Sequence, residues 1–196
     1  MAELDGPESN AGGSDVPAPE WDLPKDLAAK DYFEEIKCQT DRGLAVLMTG
    51  FLEYRVRRAI KQAMNVWDKH AESIFGTDSS PGELSFKYQC RMAYGMGLIG
   101  PVTLADLDRV GRIRNKFAHR PTVKSFDHEA VRDLCDELEI LGAWDKWWHS
   151  KHVREHTRRE NFRQSAELLS NMLFAAYIAF SQQTTRANPG RQNIFL

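Results

Sequence analysis

Arg114, Asn115 and His119 are the residues of this 196-residue chain whose types and spacing best suit chemistry. A guanidinium can clamp a phosphate through two donors at once, and an imidazole moves protons near neutral pH. An amide beside them can orient either group or a substrate. Together they fit work on a phosphodiester. The structural alternative is equally concrete: Arg114 pairs with Asp41, Glu53 or Asp106 and ties helices together, while His119 caps carbonyls at a helix end. A third reading keeps the same groups as a catalytically silent phosphate pocket.

The element that must position them is a helix ending at His119. Thr103 is a candidate N-cap, Asp106 stands three residues on as in a capping box, and Pro101 lies just before. Pro121 biases Arg120 away from helical angles and so ends the helix. At about 100° per residue, Val110, Phe117 and Ala118 lie within about 80° of Leu107, and Arg114 falls in the middle of that apolar arc. A guanidinium there needs a partner, because an isolated buried charge is costly.

The flanking chain is also helical in pattern. Leu44, Leu47, Met48, Phe51, Leu52, Val56, Ala59, Ile60, Ala63 and Trp67 follow three- and four-residue steps, predicting a helix that ends before Gly76. Ser79-Ser80-Pro81-Gly82 reads as a loop. A second helix runs from near Ser85 to Gly97, and Leu98-Ile99-Gly100-Pro101 connects it tightly to the motif helix. Asp127 is a candidate N-cap for a helix carrying Val131, Leu134, Cys135, Leu138 and Leu141, with Gly142 suited to its C-cap. A last helix holds Phe162, Ala166, Leu169, Leu173, Ala176 and Phe180. No segment alternates convincingly, so the fold class is all-α: a bundle of about five to six amphipathic helices over residues 31–183, with short antiparallel connections. Residues 1–30, with four of the eight prolines and three of the thirteen glycines among acids and few large apolar groups, read as a flexible leader, and 184–196 as a disordered tail.

Charge and cysteine content narrow the function classes. The net charge of −2 is uneven: residues 1–40 hold ten acids and three bases (−7), leaving +5 for the remainder. A mildly basic body weakly allows a polyanionic partner, but a DNA-binding domain is usually far more basic. Cys38, Cys90 and Cys135 are widely spaced and match no zinc pattern, so buried free thiols in a reducing, cytoplasmic setting are expected. No secretory signal or membrane-spanning run is present.

Two further clusters combine residue types that could do chemistry, and each has a plainer reading. Asp145, His149, His152 and His156 share a helical face and could bind a metal, but a solvated polar face explains them, and no metal or cofactor is expected. Trp144, Trp147 and Trp148 stand among Lys146, Lys151, Arg154, Arg158, Arg159 and Arg163. They could stack on bases, anchor an irregular segment or form a dimer patch. The two helices around Gly97–Pro101 superficially form a helix-turn-helix. The second would present Leu104-Ala105-Asp106-Leu107-Asp108 at its N-terminal end, an acidic and apolar stretch that repels a phosphate backbone.

Several stretches, in order, resemble the mannitol-operon repressor family. They are Thr40-Asp41-Arg42-Gly43 opening a long helix, Phe86 to Ile99, Asp106 to His119, and Ser125 to Asp133, so the resemblance covers about residues 38–140. It implies an all-helical regulator of transcription without a recognisable DNA-binding motif. Direct specific DNA binding is then doubtful, and action through a protein partner, as a homodimer, is the expectation. Arg114, Asn115 and His119 also resemble the HEPN superfamily signature. That resemblance implies the alternative, a metal-independent ribonuclease in which arginine holds phosphate and histidine shuttles protons. The ion-pair candidates that would hold such a site together are Asp41, Arg42, Glu53 and Asp106.

Overall fold

The structure, a computed structural model, describes residues 36, 38–66, 69–76, 82–148 and 157–187, and these form an all-α bundle. The expected leader, Trp21, the loop residues Ser79 to Pro81, and His149, His152 and His156 lie outside the described residues. So does the C-terminal end of the tail, although the last helix continues to Ala187, beyond the expected boundary at Thr184.

Helix α1 (Asp41–Met64) and helix α7 (Arg158–Ala187) form the spine of the bundle. Leu44, Met48, Leu52, Val56 and Ile60 recur at one helical turn and are essentially inaccessible, as are Phe162, Ala166, Leu169 and Leu173 on α7. Thr40 caps α1 by accepting the Gly43 N–H at 3.1 Å. The helix does not run on towards Gly76. Asn65 takes the left-handed conformation (φ 54°) and its N–H bonds to Gln62 O, which closes the last turn, and a separate α2 follows (Lys69–Phe75). An asparagine tolerates that backbone and breaks a sequence periodicity that otherwise reads as continuous.

Farther along the spine, two arginines lie between aromatic pairs. The Arg55 guanidinium is 5.0 Å from the Phe51 ring centroid and 4.8 Å from that of Phe174. One turn on, Arg58 sits over Tyr54 and Tyr177 and donates to both hydroxyls, at 2.8 and 3.1 Å.

Helices α3 (Phe86–Gly95) and α4 (Pro101–His119) form a hairpin turned at Gly97, whose φ of +72° suits glycine. They approach closely where a Cβ at Gly111 would meet the Phe86 ring at 3.4 Å. Next come α5 (Arg132–Asp136) and α6 (Ile140–Trp148), two helices where the sequence predicts one from Asp127 to Gly142. Asp127 instead pairs with Arg158, and Gly142 lies within α6. A chain of aromatic contacts joins the motif helix to the spine: Phe117 to Phe126 and Phe126 to Phe162, each at 4.9 Å between centroids. Of the cysteines, Cys90 and Cys135 are buried as expected, and Cys38 is exposed.

Candidate functional site

Helix α4 starts one turn earlier than its capping pattern implies. Gly100 is the N-cap, Pro101 occupies the first turn, and no side chain caps it. Thr103 and Asp106 are buried inside the helix instead. Asp106 is fully inaccessible and serves a different helix: its Oδ2 accepts the N–H groups of Glu139 (2.9 Å) and Ile140 (2.7 Å), and its Oδ1 accepts from Arg109 (2.6 Å). A carboxylate on those amides caps α6 from a distance, and this forces the break between α5 and α6. Burial raises the Asp106 pKa even against these donors.

The C-terminal end of α4 stops at His119 as Pro121 requires, with Arg120 extended. The cation on its carbonyls is Arg42, and the His119 side chain makes no hydrogen bond among the described residues. The Arg42 guanidinium donates to Phe117 O, Arg120 O (3.2 Å), Pro121 O (3.2 Å) and Val123 O (3.0 Å). A planar fork reaches several carbonyls of a chain reversal at once, which an ammonium does less well. Neighbouring Asp41 accepts the Phe126 N–H at 3.0 Å and pairs with Arg159, which in turn donates to Gln39 O at 2.7 Å. Thus Thr40-Asp41-Arg42-Gly43 grips residues 117–126 from the start of α1 and fixes where α4 ends. The adjacent acid and base were visible in the sequence; that their partners are backbone groups more than 70 residues away was not.

The structure places Arg114 differently from the arc drawn through Leu107. Ile113, omitted from that arc, is fully buried, as are Thr103, Asp106, Val110 and Phe117. Including Ile113 and Asp106 turns the buried face by about 40°, which moves Arg114 towards its edge and Ala118 to the exposed side. The Arg114 side chain is 32% exposed. Of its three proposed partners the structure supplies one, Glu53 on α1, at 3.6 Å; Asp41 and Asp106 are held by Arg159 and Arg109. Arg114 also donates to Asn115 Oδ1 at 3.1 Å. Asn115 and His119 are exposed and one turn apart, so the three side chains form a strip on the outer face and end of α4.

Arg114 and Asn115 also line one end of an open groove between α3 and α4, with a volume of about 870 Å³. Its apolar lining includes Phe86, Leu104 and Leu107, and its rim Lys87, Arg91 and Arg112; His119 is not part of it. The groove depends on how the two helices pack and has no signature in the sequence. Cys90 faces it from below, its thiol pushed up to about 12 by burial and so kept neutral. Among the described residues, no group of three or more His, Cys, Asp or Glu could hold a metal ion, and no helix is long and apolar enough to cross a membrane.

Comparisons with protein-family models, curated proteins and solved structures return no match to this chain.

Proposed function

We propose that the chain is an all-helical regulator of transcription, of the mannitol-repressor type, that acts through contacts with a protein partner. The observation that carries this reading is what α4 leaves open in its N-terminal half. Thr103, Asp106 and Leu107 point into the bundle, and the outward positions Pro101, Leu104, Ala105 and Asp108 offer apolar and acidic groups in place of base-reading side chains. What the α3–α4 hairpin offers outward is suited to protein contact: Tyr88 and Tyr94 are 58% and 46% exposed on α3, beside exposed cations. The test is selection of the purified protein against random duplex DNA, read at two salt concentrations. The expected result is weak, sequence-independent binding; an enriched sequence motif overturns the reading.

One observation favours a second reading, a HEPN-type ribonuclease. Arg114 is loosely paired and oriented by Asn115, with His119 one turn beyond Asn115, which is the donor and proton carrier that metal-independent cleavage needs. RNA cleavage in chelator, lost in folded Arg114→Ala and His119→Ala variants, would establish it.

A further inference from the structure

We infer that the α3–α4 groove is the docking site for an acidic, amphipathic helix of the partner protein. This rests on the protein-contact reading above and adds the partner's chemistry to it. The groove combines two features. Its rim carries Lys87, Arg91 and Arg112, none of which has an ion-pair partner among the described residues. By contrast Arg42 is held by carbonyls, Arg109 by Asp106 and Glu139, Arg158 by Asp127 and Asp136, and Arg163 by Glu160 and Glu167. The three rim cations are open to an external carboxylate.

The lining between them is apolar: Phe86 and Leu107 are buried beneath it, half-buried Leu104 lies over them, and Pro101 and the exposed Tyr94 ring flank it. A phosphate backbone gains nothing from such a floor, and Asp108, the one acid in the lining, confines the partner's acids to the flanks that face Lys87, Arg91 and Arg112. An amphipathic helix with leucines on one face and acids on its flanks satisfies both parts of the groove. On α3, Lys87, Arg91 and Tyr94 follow i, i+4, i+7 and so form one stripe. The ten residues of α3 give the groove a length of about 15 Å, enough for three turns of a bound helix.

The complementarity is also directional. Cations line the rim and not the floor, so they are expected to set association rate and partner choice, while the apolar stripe supplies the buried contact. The complex should weaken with added salt, because exposed charge pairs are screened.

The experiment displays two peptide libraries of about 16 residues, with leucine fixed at i, i+3, i+7 and flanks randomised as acidic or basic, against the full chain. Enriched peptides are then resynthesised and titrated against wild type, Lys87→Glu/Arg91→Glu and Leu104→Glu. The expected result is enrichment of acidic-flanked peptides, with affinity reduced about tenfold or more in each variant. Both substitutions are at surface or groove positions, and retained helicity is checked by circular dichroism. Enrichment of basic-flanked peptides, no enrichment, or binding indifferent to both variants overturns the proposal. So does tighter binding of a 12-nucleotide single-stranded RNA that the same substitutions abolish. A sequence motif in the DNA selection would remove the protein-contact reading while leaving the peptide result standing, so the two failures are separable.

Discussion

Replacing Arg42 should uncouple the end of α4 from the bundle. In the Arg42→Ala variant four carbonyls lose their donor at once. Arg120 O and Pro121 O are solvent-accessible, so water takes over those bonds at little cost. Phe117 O and Val123 O are partly buried, and a hydrogen bond to a charged donor there is worth about 1.5–3 kcal/mol each. Allowing for partial solvation, the expected loss is about 2–4 kcal/mol. That is a substantial part of the roughly 5–15 kcal/mol typical of a domain. For a chain of this size it lowers Tm by about 5–15 °C. Arg42→Lys keeps the charge at the helix end but not the fork, and should recover less than half of the loss. Urea unfolding followed by circular dichroism measures both variants. A loss below about 1 kcal/mol for Arg42→Ala would refute the clamp.

Four other outcomes follow from the same structure. Asp106→Ala strands two backbone N–H groups and Arg109 and should cost about 2–4 kcal/mol, whereas Asp106→Asn, which keeps an acceptor, should cost about half of that; equal costs would show that the α6 cap is not what Asp106 provides. Arg114→Ala should cost no more than about 1 kcal/mol, since its ion pair is long and one-third exposed; a cost above about 2 kcal/mol would make Arg114 structural. Burial raises the Cys90 and Cys135 thiols from 9.0 to about 12, so the unfolded chain releases their protons first. Stability should therefore fall as pH rises from about 9 towards 12, and a Cys90→Ala/Cys135→Ala variant should lose part of that slope. Iodoacetamide at pH 8 should label Cys38 in the native protein and spare the other two.

Local rules account for much of the fold. The spine helices are legible because Leu44 to Ile60 and Phe162 to Leu173 keep helical spacing, and Pro121 stops α4 where it should. The misread positions share a cause. Asp106 looks like a capping-box residue and Asp127 like an N-cap, but each is claimed by a distant partner, the α6 amides and Arg158 respectively. Likewise Arg42 caps α4 from a position 75 residues before Phe117. Sequence spacing reports which groups can cap, and tertiary packing decides which helix they cap. The site divides the same way. Arg114, Asn115 and His119 are identifiable by type, whereas the exposure of Arg114 turns on one isoleucine in the helical arc, and the groove lies between two helices, α3 and α4, so neither segment alone encodes it.

Complementation by a single variant tests the central claim most directly. The His119 side chain is exposed and makes no hydrogen bond among the described residues, so His119→Ala leaves the fold and the groove intact while removing the proton carrier that a nuclease would need. The measurement is the transcript profile of cells lacking the chain, with wild type or His119→Ala restored. A regulator that works by protein contact predicts a defined set of altered transcripts that both chains return to normal. Rescue by wild type but not by His119→Ala, or no altered transcripts at all, would contradict the account.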